Sequence, residues 1–577
     1  MDDESEDAYN FVIGNIDPQG TWVNLGCDFN GHGTHVAGIA AASGTIKGIA
    51  PGARLMVIKA LDANGETSWE MLQEAIKYAA TNGADIINLS LGYYEDVTAG
   101  NNTLTQLISE MSEEHGVIFT VATGNKGPGM ASLATPGNAK DAISVGAYIS
   151  PDMWKELYDW QVTKESLWYF SSIGPRKDGL MAPSVVAPGS AISTAPLWSG
   201  QKYYLAEGTS MAAPHVAGAV ALLLDSMQRM GKTPDPEDVR KAIALGARPL
   251  DGFGPAEVGA GVVDIVEAWR KLLLVNESTP LKAQTYNRRL GVGEGLYTRE
   301  YLPGKLYFTI ENQGEKEVKV KWDTTEEWLS AEPLQTRISP DSSRNIAISY
   351  DIPREPGLYS AFLRGDVEGT YGYDLMALST IVRPYLLNEE NQYRISLRGN
   401  LEAAQYQRYF IKVLPGTGKL YVKLDIDEAD KKYQGRARFH LIKPDGMEYV
   451  MTEFAGVTPK GGIPKGEVRT VVENPEPGTW EIVVYSSASL SSYGLKESRY
   501  KLTAYLTEVK GEEEKEDYSR WFINTGVSKD FKEGEDGYIT FHVIDKNNKK
   551  PINGVMEINN KLYQVRNGRL TLRGDEL

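Results

Sequence analysis

The chain has 577 residues, of which 41% are hydrophobic and 24% charged, and its formal net charge is −17. This length is too great for one hydrophobic core, so several domains are expected. The negative charge argues against nucleic acid and anionic membrane as partners, and no apolar run reaches the ~18 residues that a membrane-spanning helix needs. A single cysteine, Cys27, excludes an internal disulfide.

The first half of the chain alternates apolar runs typical of buried strands with runs typical of helices. ARLMVIKAL (53–61) and ADIINLSLG (84–92) are predicted as strands buried on both faces, and SWEMLQEAIKYAATNG (68–83) between them as an amphipathic helix. A helix at TLTQLISEMSEEHG precedes a further strand, GVIFTVATGN (116–125), and the alternation closes with a turn and a helix over 259–274. The pattern predicts an α/β fold with a parallel sheet flanked by helices.

Beyond these residues the chain changes to short strands with a period of two. Apolar and polar residues alternate in EVKVKW, LYVKLDID and PGTWEIVVY. Such runs, separated by Gly and Pro, predict all-β sandwich domains, which we place over 280–385 and 386–507. Tyr421 and Tyr485 are expected on exposed strand faces, either as cross-strand packing or as a sugar-binding face. A charged linker follows, and a partial β module is expected over 520–577.

Two glycine-rich segments carry candidate catalytic residues. His32 and His35 lie in FNGHGTHVAGIAA (29–41), in a chain with six histidines in all. Ser210 lies in GTSMAAPHVAGAVALLL (208–224) and opens a run that is apolar on every side, as in a helix buried at a domain centre. Its N–H would point into the positive end of the helix dipole, where an anion is stabilised. On its own, however, a serine before a helix is better explained as an N-cap.

A third segment, FTVATGNKGPG (119–129), places Asn125 just past the end of a predicted buried strand. Sites in open α/β sheets form at these strand ends. The Asn125 amide is therefore a candidate to donate to a developing oxyanion together with the Ser210 N–H. Considered alone, an asparagine followed by Lys-Gly is typical of a turn.

Together these segments resemble the subtilisin-like serine proteases. GHGTHVAG, NLSLG, ATGNKGPG and GTSMAAPHVAG occur in the order and strand context of that family, over about residues 25–272. The resemblance implies a subtilisin-like protease domain over 28–275, incomplete at its N-terminus. It is closest in kind to members of the pyrolysin and tripeptidyl-peptidase type, which carry β-sandwich domains after the protease domain.

The resemblance implies a serine endopeptidase that hydrolyses peptide bonds of protein or peptide substrates. Ser210 matches the nucleophile that forms the acyl-enzyme, His32 the general base and Asn125 the oxyanion-hole donor. His35 matches a structural histidine. The segment implied to pair with an extended substrate consists of Ser90, Leu91 and Gly92.

The triad aspartate, which the family places before the histidine and follows with Thr-Gly or Ser-Gly, has no match upstream of His32. Asp17 follows the apolar run FVIGNI but stands close to His32, and Asp28 lies where the family often has a non-catalytic acid. The simplest expectation is that the carboxylate is not on this chain. Residues 1–27 would then be the remnant of an insertion, and the chain would be truncated and lack a central strand of its sheet. The alternative is a catalytically impaired scaffold or binding protein.

The remaining expectations rest on the resemblance alone. No cofactor is implied for the chemistry. Structural calcium is common in the family, but no Asp-x-Asp-x-Asp-Gly loop locates a site. The resemblance implies an extracellular or cell-surface location, although MDDESEDAYN has none of the features of a signal peptide. The sequence leaves the oligomeric state and the side-chain preference for substrate open.

Overall fold

A computed structural model describes most of the chain. It covers residues 13–16, 23–25, 27–94, 102–275, 280–287, 291–460, 462–510, 521–527, 538–545, 551, 554–558 and 561–573. The side chains before Cys27 and many of those after residue 510 are not part of the description.

The first half of the chain is a parallel sheet between helices, which confirms the predicted fold class. Its strands are β1 (Ile13–Ile16), β2 (Val23–Leu25), β3 (Ile86–Leu89), β4 (Ile118–Ala122), β5 (Ala142–Ile149), β6 (Ser166–Leu167), β7 (Val185–Pro188), β8 (Ser190–Thr194) and β9 (Tyr203–Glu207). Strands β3, β4 and β5 pair in parallel in that order, with β7 parallel to β5 and β6 antiparallel to it. β8 and β9 form an antiparallel hairpin, and β1 pairs with β2.

Helices cover this sheet, and two of them begin at recognisable capping residues. They are α1 (His32–Ala41), α2 (Trp69–Thr81), α3 (Thr103–His115), α4 (Pro151–Tyr158), α5 (Thr209–Arg229), α6 (Pro236–Gly246), α7 (Pro255–Val258) and α8 (Ile265–Leu272). The Ser68 side chain caps α2 by accepting from the Met71 N–H, and Asn102 caps α3 in the same way. α2, α3 and α8 thus begin and end close to where the sequence predicts them.

α5 is the central helix of this half. Val216, Val220 and Leu223 pack on Val145 and Val185 of the sheet, within one buried apolar cluster. Among the described helices, α5 is the one long and apolar enough to cross a membrane, but 61% of its most apolar window lies buried inside the protein. The prediction of a buried core helix is therefore confirmed.

The run 53–61, predicted as a strand buried on both faces, is not a strand. Residues 53–60 have no regular secondary structure, three consecutive apolar residues over 55–57 are exposed, and Val57 is 82% exposed. Ile58 packs on the apolar cluster that β3 shares, so the run lies beside β3 without pairing with it. Within the described part of the chain β3 pairs with β4 alone. The prediction fails because apolar composition alone does not make a strand: the run forms no backbone ladder within the described residues, and its apolar residues 55–57 face solvent.

The neighbouring prediction over 84–92 is only partly right. β3 covers Ile86–Leu89 alone, and its burial alternates along the strand instead of being complete. The alternation reports unequal cover on the two faces, since Ile87 and Leu89 are buried in the cluster with α2 and α3 while Ile86 is only partly buried against the α5 cluster.

A first β-sandwich follows, with two facing five-stranded sheets. Its strands are β10 (Leu281–Asn287), β11 (Gly291–Gly293), β12 (Leu296–Thr298), β13 (Lys305–Asn312), β14 (Val318–Thr324), β15 (Leu329–Glu332), β16 (Gln335–Ile338), β17 (Ser342–Tyr350), β18 (Gly357–Val367) and β19 (Leu375–Arg383). The sheet orders are β11–β10–β13–β17–β15 and β12–β19–β18–β14–β16. Val318, Val320 and Trp322 point into the shared core, as their alternation predicts.

A second β-sandwich is built the same way. Its strands are β20 (Tyr385–Leu386), β21 (Arg394–Glu402), β22 (Tyr406–Val413), β23 (Lys419–Ile426), β24 (Glu428–Ala429), β25 (Lys432–Tyr433), β26 (Arg436–Ile442), β27 (Glu448–Met451), β28 (Ala455–Gly456), β29 (Glu467–Glu473), β30 (Gly478–Ser486) and β31 (Glu497–Thr507). The main sheets run β20–β22–β30–β26–β27 and β21–β31–β23–β29. The last described strands are β32 (Trp521–Val527), β33 (Tyr538–Asp545), β34 (Gly554–Ile558), β35 (Lys561–Val565) and β36 (Arg569–Arg573). The domain limits drawn from the sequence stay predictions.

The second sandwich packs directly on the protease half. All nine residues of β30 are buried, although its alternation predicts one polar, solvated face. Tyr485 is buried and contacts Tyr169 at 5.0 Å between ring centroids, so the expectation that Tyr485 is exposed and available for sugar is wrong. The Tyr421 ring stacks on the Tyr505 ring of the neighbouring strand, with 4.6 Å between ring centroids. This contact agrees with cross-strand packing, the first of the two explanations given for Tyr421.

Candidate active site

Ser210 is the second residue of α5, at the end of the helix that contacts the segment after β3. Gly208 precedes the helix with φ of 148°, a conformation that L side chains rarely adopt. The Ser210 hydroxyl donates to the backbone oxygen of Ser90 at 3.2 Å, and the Ser90 hydroxyl donates to the backbone oxygen of Ser210 at 2.8 Å. This reciprocal pair fixes the start of α5 to the segment after β3.

Asn125 lies in the turn after β4 and faces the same helix start. Its side-chain oxygen accepts from the Thr209 N–H and from the Thr209 hydroxyl, both at 3.0 Å. Because a backbone N–H can only donate, these contacts identify which amide atom is the oxygen and direct Nδ2 away from Thr209. The Asn125 N–H donates to the Tyr94 hydroxyl at 2.5 Å, which fixes the backbone of the turn as well.

Two potential donors converge beside Gly208. A Cβ built on Gly208 would lie 3.4 Å from Asn125 Nδ2 and 3.6 Å from the Ser210 nitrogen. A side chain at this position would enter the space between the two donors. The glycine therefore keeps open a small volume lined by an amide N–H and by the first turn of a helix, which is suited to a developing negative charge.

His32 is the first residue of α1, which packs against α5. The approach is close, because a Cβ built on Gly218 of α5 would lie 3.0 Å from the backbone oxygen of Ala40. Burial lowers the pKa of His32, and the negative charge of Asp28 opposes this only in part. The imidazole is therefore neutral at pH 7, the form that can accept a proton. Within the described residues the His32 ring makes no hydrogen bond with Ser210. The Ser210 hydroxyl instead donates to the backbone oxygen of Ser90.

The described residues supply no carboxylate that orients His32. The Asp28 carboxylate accepts from the N–H groups of Asn30 and Gly31, at 3.1 and 2.8 Å, and from both N–H and hydroxyl of Thr34, each at 2.7 Å. Burial acts to raise the pKa of Asp28, but these hydrogen bonds lower it overall. Asp28 is thus committed to capping α1. Asp17 and the acidic residues at the start of the chain lie outside the described residues.

His35 occupies a different environment from His32. Its ring is fully buried, lies 4.5 Å from the Tyr204 ring, and its Nε2 contacts the Tyr204 backbone oxygen at 3.1 Å. Burial lowers its pKa too. These contacts are those of a packed core residue.

The segment predicted to bind substrate follows β3, which among the described strands pairs with β4 alone. Ser90 is tied to Ser210, and Tyr93 forms a two-way backbone bridge with Thr135. Between these anchors Leu91 is half-buried and Gly92 is exposed. The segment is therefore held next to Ser210, with a face turned to solvent where an extended peptide could pair.

Two residues that position the site were not singled out from the sequence. Thr209 orients the Asn125 amide, and its place between Gly208 and Ser210 in the GTS motif was an available signal. Tyr94, whose hydroxyl accepts from Asn125, has no such signal, because nothing local distinguishes it from the neighbouring Tyr93.

Comparison with known proteins places the chain among the serine peptidases. The profile of the Subtilase family matches residues 3–293. The chain belongs to the subtilase family. It is 30% identical over 584 aligned residues to pyrolysin of Pyrococcus furiosus, covering 89% of this chain and 39% of pyrolysin. It is also 30% identical to tripeptidyl-peptidase 2 of Arabidopsis thaliana, over 51% of this chain and 22% of that protein. The subtilase chain thus spans well under half the length of these relatives.

A solved structure has the same fold over most of the chain. The crystal structure of tripeptidyl peptidase 2 superposes with a TM-score of 0.69 over 92% of this subtilase and 44% of that chain, at 20% sequence identity. A likeness at this identity concerns the fold, and it extends through the β-sandwiches as well as the protease half.

Family membership leaves location and metal content open. The major intracellular serine protease of Bacillus subtilis is 36% identical over 38% of this subtilase and 65% of that protein, so membership alone does not imply secretion. No group of three or more His, Cys, Asp or Glu side chains in the described part of the chain is placed to hold a metal ion. The extracellular location and a structural calcium therefore stay predictions.

Proposed function

We propose that this subtilase chain carries the catalytic centre of a serine endopeptidase. Ser210 attacks the carbonyl carbon of a peptide bond while His32 takes its hydroxyl proton, and His32 then returns that proton to the leaving amine. Water hydrolyses the resulting acyl-enzyme by the same sequence. The observation that carries the proposal is the convergence of Asn125 Nδ2 and the Ser210 N–H on the space beside Gly208.

The mechanism requires the Ser210 hydroxyl to leave the Ser90 oxygen and donate to His32, and rotation about χ1 between staggered rotamers is the available movement of that hydroxyl. A substrate strand lying along residues 90–92 would bring its carbonyl to this serine. The Asn125 side chain is exposed while Ser210 and His32 are half-buried, so the centre opens to solvent on the side of Asn125.

A second candidate function is a protease-like scaffold without turnover. The Asp28 carboxylate accepts its hydrogen bonds from residues at the start of α1. Among the described residues His32 is therefore left without a carboxylate partner, and this favours the scaffold. The two candidates are separated by labelling with a tagged fluorophosphonate, which reacts with a serine activated by a neighbouring base. Slow labelling that disappears in Ser210→Ala and persists in Ser226→Ala, a control on the same helix, supports the enzyme. A cooperatively folded chain that does not label leaves the scaffold.

The products distinguish endopeptidase from tripeptidyl-peptidase action. We expect mass spectrometry of a digested unfolded protein to reveal internal fragments of varied length. A product mixture dominated by tripeptides released from the N-terminus would contradict the endopeptidase assignment.

The labelling rate should fall at low pH with a midpoint below about 6.5, the ordinary pKa of histidine. Burial lowers the pKa of His32, so the imidazole stays neutral and able to accept a proton to a lower pH than a solvated histidine. Activity is present above this folded pKa and is lost as pH falls through it. The measurement is the labelling rate of Ser210 between pH 4.5 and 8. A midpoint above 6.5 would instead indicate that a carboxylate stabilises the imidazolium.

A further inference from the structure

The loop that carries Asn125 belongs to the protease half and contacts the second sandwich. A Cβ built on Gly129 would lie 3.0 Å from Cγ1 and Cγ2 of Ile442, so the loop backbone touches the end of β26 directly. The next residue, Met130, is fully buried, and its N–H donates to Oε2 of Glu481 at 2.9 Å. Residues three to five positions after Asn125 are thus held by another part of the fold.

A buried charged cluster forms the centre of this contact. Arg408 of β22 donates through Nε to Oε1 of Glu257 at 2.9 Å and through Nη1 to Oε1 of Glu481 at 2.5 Å. The same Nη1 donates to the backbone oxygen of Pro128 in the Asn125 loop. Arg408 and Glu257 are 8% and 7% exposed, and Glu481 is fully buried.

The cluster lies where the protease half and both sandwiches meet. Arg299, which follows the first sandwich strand β12, is buried nearby and donates through Nη2 to the Thr479 backbone oxygen at 2.7 Å. Replacing buried ion pairs by apolar residues is often neutral or stabilising, so bulk stability alone does not explain such a cluster. An arginine fork does fix the direction of the groups it binds.

On its other side the loop is anchored within the protease half. The Lys126 N–H donates to the Ser172 hydroxyl at 3.0 Å, and the Gly127 N–H donates to the Phe170 backbone oxygen at 2.8 Å. On the side of the second sandwich, Arg408 contacts the Pro128 backbone oxygen and Glu481 contacts the Met130 N–H. The position of the Asn125 turn is therefore set jointly by its own domain and by the second sandwich.

We propose that Arg408 is a positioning residue for the oxyanion hole, holding the Asn125 loop through the Pro128 carbonyl so that the second sandwich forms part of the catalytic apparatus. Arg408 acts through Asn125 and does not touch substrate. The inference rests on the proposed function, because it assigns the oxyanion to Asn125.

The test is a double-mutant cycle on the labelling rate of Ser210 by the fluorophosphonate, with the full chain. Arg408→Met should slow labelling by about 10-fold to 100-fold, the scale on which small displacements of catalytic groups act. In an Asn125→Ala background the same substitution should change the rate by no more than about 2-fold, because the group that Arg408 positions is already gone. Arg408→Lys, which keeps the charge but lacks the fork, should give an intermediate rate.

A matched control removes a different contact between the same two parts of the fold. Glu402 accepts from the Thr163 hydroxyl at 2.6 Å and pairs with Lys164 at 2.8 Å, away from the Asn125 loop. Glu402→Gln should leave the labelling rate within about 2-fold, as expected for an exposed ion pair. A slowing equal to that of Arg408→Met would mean that docking in general is what matters, and would overturn the proposal.

The outcomes separate this inference from the proposed function. An unsubstituted chain that fails to label refutes both. Labelling that Asn125→Ala slows, together with fully additive effects of Arg408→Met, refutes the positioning role alone. Arg408→Met leaves Glu257 and Glu481 partly unpaired, so this variant is checked by thermal melting. If it fails to fold, Arg408→Met with Glu257→Gln removes one charge of each sign and carries the same expectations.

Discussion

Joining to the chain, upstream of His32, an apolar strand that ends in Asp-Thr-Gly should raise kcat for peptide hydrolysis by about 10⁴-fold. Subtilisin loses about 3 × 10⁴ in kcat without its aspartate and about 2 × 10⁶ without the whole triad, so the His–Ser pair alone retains about 10². Within the described residues β3 pairs with β4 alone and residues 53–60 join no strand, so the added strand is expected to pair along the free side of β3. The added carboxylate would orient the imidazole and stabilise its charged form.

The control is the same fusion with asparagine in place of the new aspartate. It should complete the sheet and raise the melting temperature without restoring the rate, because the strand pairs through its backbone. Equal rates for the two fusions would contradict the prediction. They would mean that residues outside those described, Asp17 among them, already orient His32.

Asn125→Ala should lower kcat by about 10² to 10³-fold while changing KM little. The oxyanion forms only after Ser210 has attacked, so the amide stabilises the transition state more than bound substrate. In this subtilase the amide is pinned by Thr209, and its loss leaves the Ser210 N–H as the remaining donor beside Gly208. The measurement is steady-state hydrolysis of a peptide substrate.

Ser150→Ala is the control for that substitution. Ser150 caps α4 by accepting from the Met153 N–H at 3.2 Å, so its loss should lower the free energy of unfolding by about 1 kcal/mol and leave kcat unchanged. A rise in KM for Asn125→Ala with unchanged kcat would place the amide in substrate binding and would contradict an oxyanion role.

The sequence singled out Ser210 and Asn125 from local motifs, and the structure brings both to the start of α5, while their catalytic roles stay predictions. The position before Thr209 takes glycine because its φ is 148°. Helix starts were predictable for the same local reason, as the cap of Ser68 on α2 illustrates.

The misjudged features depend on contacts distant in sequence. Residues 53–61 have the composition of a buried strand, but composition does not reveal whether a neighbouring strand is present. β30 alternates as a half-exposed strand does, yet its outer face is covered by the protease half. The hydrogen bond from Arg408 to Pro128 joins residues 280 positions apart, beyond the reach of any local pattern.

The burial of β30 on both faces has a practical consequence for producing this protein. A fragment trimmed after residue 275 would keep the sequence motifs of the family but would uncover the surface around Met130 and Tyr169, and would leave Glu257 without its arginine. Such a fragment would have a new apolar surface at the loop that carries Asn125. We expect it to aggregate or to lose activity. The smallest useful expression unit therefore extends through Thr507, and the sandwiches are poor candidates for exchange as modular accessories.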